Sequence, residues 1–245
     1  MSLVIRPRNP WESIDLGFRL CREHWRALYG SWIAASLPLF CIVFFLLGPE
    51  SLWVLIVIRW LKPIVDRVPL IVLSRAVFSS VTTTRETLTL WPDSLRYGLF
   101  SSLLWRRLDP SLSFTLPIWQ LERLYGSQWR QRARIIHQNT RGAAIWLTFV
   151  CLALELIAMT ALFALFVLMT PEKLAIDWLE VNQDWFWVLL NSLHLFALLL
   201  VGPLNIAGGF ALYLNRRTIL EGWDIEIAFR QMTPRISAAL RRAAV

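Results

Sequence analysis

The chain has 245 residues, of which 56% are hydrophobic and 17% are charged, and its formal net charge is +8. A mean hydropathy of +0.51 excludes an ordinary soluble domain, because a soluble fold of this length needs far more polar surface to cover its core. The basic residues are spread over three segments, which argues against nucleic-acid binding. Composition therefore predicts an all-α, polytopic membrane protein with a single integral membrane domain, residues 1–245.

The first predicted element is an amphipathic helix over residues 9–29. Asn9 can cap this helix, and Pro10 suits its first position. Apolar residues then recur at steps of three or four, while arginines and acids fill the other face. We interpret the segment as a helix that lies in the cytoplasmic interface of the membrane. The alternative is a cytosolic helix that packs on the bundle.

Four apolar stretches follow, and each is long enough to cross a bilayer, which takes about 20 residues. The predicted spans are residues 31–48, 51–78, 143–169 and 185–213. Between the second and third spans, the segment 79–142 holds two short apolar pieces. These predict interfacial or re-entrant helices on the cytoplasmic side, and the chain would have six spans if both pieces crossed instead.

The distribution of arginine predicts the orientation of the chain. Segments 1–30, 79–142 and 215–245 hold five, nine and six arginines, whereas the link 170–184 is acidic. The positive-inside rule therefore places both termini and the middle segment in the cytoplasm. Six of these arginines are predicted to contact anionic lipid head groups, at about 1 kcal/mol each: Arg106, Arg107, Arg130, Arg134, Arg216 and Arg217. The alternative is that they only set the topology.

The second span contains the stretch "RWLKPIVDRVPLIVLSR", which places charges where lipid is expected. On one continuous helix, three of these charged side chains share a face, and Lys62 lies about 16 Å from the outer end. Charges at this depth cost at least about 2.5–3.5 kcal/mol each, so they should face the bundle interior and pair. Acidic and imidazole groups lie at comparable depth in the later spans. The predicted buried polar cluster is Arg59, Lys62, Asp66, Glu155 and His194.

Three interpretations of this cluster stay open. Its formal charges balance, which favours a structural ion network that holds the helices in register. Glu155 and His194 can exchange protons, which favours a proton or anion pathway. In the third interpretation the second span is two half-helices broken at Pro63 and Pro69, and the charges lie at an interface. Broken helices can themselves line binding sites.

Motifs for catalysis and for cofactors are missing from the sequence. It contains no phosphate loop, dinucleotide fingerprint, GxSxG or HExxH motif. Its three cysteines and three histidines show no spacing for disulfides or zinc. We therefore predict no catalytic residue, no metal site and no cofactor, and the balance leans against an enzyme.

Two stretches carry a family resemblance: "NPWESIDLGFRLCREHWRALYGSW" at the start and "LNRRTILEGWDIEIAF" near the end. With the paired spans, they resemble a group of uncharacterised bacterial inner-membrane proteins. The layout is similar to the membrane domain attached to some glycerophosphodiester phosphodiesterases. The resemblance implies a multi-pass protein of the bacterial inner membrane, and it carries over no catalytic residue.

Two functional hypotheses follow from the sequence. The first is a non-enzymatic subunit or scaffold of an inner-membrane assembly, whose cytosolic amphipathic segments dock lipid or other inner-membrane proteins. The second is a small transporter or lipid-handling protein that uses the buried polar cluster. An enzyme that acts on lipid at the cytoplasmic face is a minor third hypothesis.

Overall fold

The structure is a computed structural model, and it describes residues 8–48, 50–78, 83–96, 98–104, 106–170 and 183–222. Most of the acidic link and the tail beyond residue 222 lie outside these residues. Within the described residues the chain forms ten helices and no strand. They are α1 Pro10–Glu23, α2 Trp25–Leu47, α3 Leu52–Val65, α4 Arg67–Phe78, α5 Thr84–Leu95, α6 Leu99–Leu103, α7 Leu112–Gln120, α8 Gly126–His137, α9 Arg141–Met169 and α10 Gln183–Glu221.

Three of the described helices are long and apolar enough to cross a membrane, by length and composition. They are α2, α9 and α10, the last of these from Trp185. The apolar window of α10 is 72% buried and that of α9 is 11% buried. Hence α10 lies at the centre of the bundle, while α9 presents apolar side chains to its surroundings. The finding agrees with a helical membrane protein.

The predicted second span, 51–78, is divided into α3 and α4, with the break at Asp66. Ser51 caps α3, because its hydroxyl oxygen accepts from the Trp53 amide at 3.2 Å. Proline explains where the chain restarts: Pro69 falls in the first turn of α4, where its missing N–H leaves no helical bond unmade. The predicted span is thus divided at one residue, with Pro63 inside α3 and Pro69 inside α4, and a single uninterrupted helix over 51–78 is not observed.

Small residues on α10 allow its neighbours to approach closely. A Cβ added at Gly209 would lie 2.6 Å from the Ser113 backbone of α7, and one added at Gly208 would lie 2.8 Å from the Leu147 side chain of α9. A Cβ added at Gly202 would lie 2.5 Å from the Trp32 ring of α2. Close approach of this kind is how helices associate tightly where lipid offers no hydrophobic driving force.

The N-terminal helix begins as predicted, with Pro10 at its first position and an Asn9 cap that accepts from the Trp11 amide at 3.3 Å. It ends at Glu23, and α2 then starts six residues before the predicted first span, at Trp25. Its buried face packs on α10, where a Cβ at Gly17 would clash with the Ala207 carbonyl. Its position in the cytoplasmic interface of the membrane stays a prediction.

The middle segment adds no long helix among the described residues. The helices α6 and α7 have five and nine residues, and α5 and α8 have twelve each. At 1.5 Å per residue, none of them reaches across a hydrocarbon core of about 30 Å. α7 is nonetheless a core element, because Phe114, Leu116 and Ile118 are almost fully buried. It packs on α10 and brings the preceding connection into the bundle.

Candidate ligand-binding cavity

Two backbone carbonyls in the second half of α3 accept hydrogen bonds from side chains elsewhere in the chain. Pro63 has no N–H, so the carbonyl of Arg59, four residues earlier, loses its helical donor. Arg107 Nη2, from the connection between α6 and α7, donates to that carbonyl. Near the end of α3, the Ile64 carbonyl accepts from the Trp91 indole at 2.9 Å. The broken helix is therefore held by two elements of the middle segment.

Two ion pairs lie at this break. Lys62 Nζ is 2.8 Å from Asp66 Oδ1, and both side chains are buried. The Lys62 ammonium also lies 5.9 Å from the centre of the Trp32 ring, within the range of a cation–π contact. Arg59 pairs with the buried Glu155 of α9. Each of the four charges therefore has a partner of opposite sign, as the ion-network interpretation expects.

A cavity of about 320 Å³ lies beside these pairs. It is bounded by α3, α7, α9, α10 and the connection between α6 and α7. Four of the five residues in the predicted cluster line its wall: Arg59, Lys62, Asp66 and Glu155. Arg107, which the sequence analysis placed at lipid head groups, lines it as well. The sequence around Arg107 does not predict this position. Pro63 does indicate that the Arg59 carbonyl needs a hydrogen-bond donor from outside the helix.

Four buried polar atoms of the cavity wall have no hydrogen-bond partner among the described residues. They are Arg107 Nε, Ser113 Oγ, Thr148 Oγ1 and Asn205 Oδ1. A buried polar atom left unsatisfied costs about 1–3 kcal/mol, and the four residues that carry these atoms all line the cavity. The set offers a cationic donor, two hydroxyls and an amide oxygen that accepts.

The charges of the cavity leave Arg107 as the surplus cation. Asp109 is the one further acid in the wall, and its Oδ1 already accepts from the Ser111 amide at 3.0 Å and from the Ser111 hydroxyl at 2.7 Å. It also lies 3.8 Å from Arg106, outside the cavity. Burial lowers the pKa of Arg107, and the nearby Asp66 opposes that shift. Arginine stays protonated under such conditions, so the cavity favours a negative group.

Apolar side chains surround the outer side of the cavity. Trp60 and Leu108 line it, and they are 43% and 85% exposed. Deeper in the bundle, the wall follows α9 from Thr148 to Glu155, over about 10 Å. The cavity therefore has charged and polar residues in its wall and two exposed apolar side chains at its edge.

His194 is the member of the predicted cluster that does not line the cavity. It lies on α10, close enough to Arg59 for their charges to interact. Its Nε2 is buried and has no hydrogen-bond partner within the described ranges. The cluster predicted from depth alone is thus separated into a cavity wall and a neighbouring imidazole.

The six arginines predicted at lipid head groups do not share one environment. Arg107 lines the cavity, whereas the Arg106 guanidinium lies 3.5 Å from the centre of the Trp129 ring. Arg130 is exposed beside that ring, in a second cleft. The remaining three lie on α8 and α10: Arg134, Arg216 and Arg217.

A second cluster of charges joins the middle segment to the end of α10. Arg132 donates to both oxygens of Glu122, at 2.7 and 2.9 Å, and also to Glu221. Tyr213 donates to Glu122 at 2.7 Å, and Arg217 donates to Glu221 at 2.8 Å. The hydrogen bond to Glu122 raises the pKa of Arg132 above its usual value. We call these five residues the Glu122 network, and the sequence analysis did not predict it.

The described residues contain no group of three or more His, Cys, Asp or Glu side chains that could hold a metal ion. No family model, curated protein or solved structure matches the chain. Any function must therefore be argued from the chemistry of the cavity itself.

Proposed function

We propose that the chain is a multi-pass protein of the bacterial inner membrane that binds an anionic amphiphile in the cavity at the α3–α4 break. By binding this ligand, the chain acts as a small lipid-handling or transport protein. One observation carries this proposal: Arg107, the lining cation whose neighbouring acids are already paired with other cations, lines the cavity together with Ser113, Thr148 and Asn205. The cavity volume, about 320 Å³, lies at the lower end of small-molecule sites, which range over about 300–1,000 Å³.

The two sides of the cavity favour an amphiphile over a small hydrophilic anion. A negative head group would meet the Arg107 guanidinium, with the Thr148 hydroxyl and the Asn205 amide oxygen available to its other polar atoms. An apolar chain would leave past Trp60 and Leu108, whose exposed surfaces suit lipid. A small hydrophilic anion could make the polar contacts, but it would make no apolar contact with Trp60 and Leu108.

The orientation that the positive-inside rule predicts is part of the same proposal. With both termini in the cytoplasm, α9 enters the membrane at Arg141, and the cavity wall occupies its first half. The cavity then faces the inner leaflet, and α3 and α4 together supply a fourth span whose break lies at the cavity. The subunit or scaffold hypothesis stays a prediction, and so does docking to other inner-membrane proteins.

Binding can be followed at Trp60, which lines the cavity. The protein would be labelled with fluorotryptophan, and the Trp60 resonance would be assigned by its loss in Trp60→Phe. Dioctanoyl phosphatidic acid, titrated in a non-ionic detergent, should shift this resonance saturably. Arg107→Gln and Thr148→Val should each raise Kd, the former by about tenfold, as expected for the loss of one charge-assisted hydrogen bond.

Arg134→Gln is the matched control, because Arg134 is an exposed arginine of the same segment that does not line the cavity. It should leave Kd unchanged. The proposal is wrong if the Trp60 resonance does not respond, or if all three variants bind like the wild type.

A further inference from the structure

A second cleft, built from two tryptophans, lies between α7 and α8. The rings of Trp119 and Trp129 stack with their centroids 4.7 Å apart and their planes at 17°. Both residues are 3% exposed. The Arg106 guanidinium lies 3.5 Å from the centre of the Trp129 ring, which is a close cation–π contact. A cavity of about 400 Å³ opens beside these groups, and we call it the tryptophan cleft.

The position of Gly98 shows that the cleft is tightly constructed. Its φ of +66° lies in the left-handed region, which glycine adopts without strain. A Cβ at this position would also lie 2.6 Å from the Trp119 ring. Glycine is therefore required twice, once for the backbone conformation and once for contact with the indole. The backbone before α6 fixes the Trp119 ring in place.

Positive charge exceeds negative charge at this cleft. Arg106 and Arg130 both line it, and Arg106 pairs with Asp109 at 3.8 Å. Arg130 is exposed and makes no ion pair with any described residue. Burial lowers the pKa of Arg106, Asp109 opposes the shift, and the Arg130 charge adds to it. Two cations that repel each other across a cavity are stabilised by an anion between them.

Hydrogen-bond donors point to the same kind of ligand. The Nε1–H of Trp129 is buried and has no partner among the described residues. Helix α8 begins at Gly126 in the wall of the cleft. The first-turn amides of a helix have no acceptor within the helix, and they favour a negative group. The cleft therefore combines two guanidinium groups with the start of a helix.

We propose that the tryptophan cleft binds the phosphate group of an anionic phospholipid. The lipid source is indicated by the apolar residues next to the cleft on α6 and just after it. Phe100 is 76% exposed and Leu104 is 48% exposed, so both can enter the acyl region of the same leaflet. This site shares no residue with the cavity at the α3–α4 break, and it stands independently of the proposed function.

The test uses the Trp129 resonance of the fluorotryptophan-labelled protein, assigned by its loss in Trp129→Phe. Dioctanoyl phosphatidylglycerol should shift it saturably, and Arg130→Gln should weaken binding about tenfold. Because Arg130 is exposed, this variant should fold normally. Arg106→Gln should weaken binding at least as much. Arg134→Gln, one turn further along α8 and outside the cleft, should bind like the wild type.

Inorganic phosphate and dioctanoyl phosphatidylcholine distinguish the alternatives. The proposal expects inorganic phosphate to shift the Trp129 resonance only at concentrations at least about a hundredfold higher, because it lacks the apolar chains. Phosphatidylcholine, which has no net charge, should bind more weakly than phosphatidylglycerol.

Equal binding of inorganic phosphate would overturn the lipid assignment in favour of a free anion. Unchanged lipid binding in both Arg106→Gln and Arg130→Gln would overturn the site. The Trp60 resonance reports on the other cavity throughout, so failure at one site is distinguishable from failure at the other.

Discussion

The Glu122 network and the cavity at the α3–α4 break are both clusters of arginines and carboxylates, but they use their polar atoms differently. In the network, both oxygens of Glu122 accept from Arg132, and one of them also accepts from Tyr213. In the cavity, the ion pairs are complete, yet Arg107 Nε and Thr148 Oγ1 have no partner within the described residues. Charge pairing is therefore found in both clusters, and what distinguishes them is the cavity beside the second one, which we propose as a binding site.

The largest expected loss of stability comes from removing the Glu122 carboxylate from the Glu122 network. Glu122→Ala should lower the free energy of unfolding by about 3 kcal/mol, because it leaves the partly buried Arg132 with one acceptor in place of two. Unfolding in mixed detergent micelles, followed by circular dichroism, measures this loss. A loss below about 1 kcal/mol would show that the network is not the closed structural cluster described above.

A smaller effect is expected from one donor of the same network. Tyr213→Phe removes the hydroxyl that donates to Glu122 at 2.7 Å and keeps the buried ring. Because hydrogen bonds to charged groups contribute about 1.5–3 kcal/mol, the free energy of unfolding should fall by about 1.5 kcal/mol. The same unfolding assay applies. An unchanged value would mean that water replaces the hydroxyl without loss.

An exposed ion pair should contribute less to the free energy of unfolding than the Glu122 network does. Arg75 and Glu86 are 2.6 Å apart, and their side chains are 36% and 50% exposed. Glu86→Ala should change the free energy of unfolding by less than about 1 kcal/mol, since solvent screens such a pair. A loss as large as that of Glu122→Ala would remove the distinction between closed and exposed clusters.

The smallest expected effect on stability lies at the cavity. Thr148→Val replaces a hydroxyl that has no described partner by a methyl group of similar size. The free energy of unfolding should stay within about 0.5 kcal/mol of the wild type or rise, while binding of dioctanoyl phosphatidic acid weakens. A destabilisation like that of Tyr213→Phe would show that Thr148 bonds to the protein and that the cavity is part of the packed core.

Hydropathy made the three long helices predictable, since each consists of a long apolar run that the bilayer requires. It located the second predicted span as well but did not show its division into α3 and α4, because continuous apolarity does not show where a helix is interrupted. Pro63 and Pro69 were recognised as candidate break points, and the break falls between them, at Asp66. The reason is positional: α4 can include Pro69 only if it begins within one turn before it.

The cavity was partly predictable from spacing. Arg59 and Lys62 lie on one face of a helix, and buried charges require partners, which led to Glu155. Arg107 was not predictable in the same way, because its place depends on the short helices of the middle segment and on the carbonyl that Pro63 frees. The Glu122 network could not be predicted from the sequence, since Glu122 and Glu221 come together only when α8 packs beside the end of α10.

The central claim is that the cavity is open to water and to an anionic ligand, and cysteine labelling tests it most directly. Two single-cysteine proteins, Thr148→Cys and Ala144→Cys, would be made without the three native cysteines. Ala144 lies one turn earlier on α9, is fully buried and does not line the cavity. A small charged methanethiosulfonate, applied to inverted membrane vesicles, should modify Cys at position 148 and not at 144. Dioctanoyl phosphatidic acid should protect position 148. If position 148 stays as unreactive as 144 while an Arg134→Cys control is labelled, the cavity is dry and the account is contradicted.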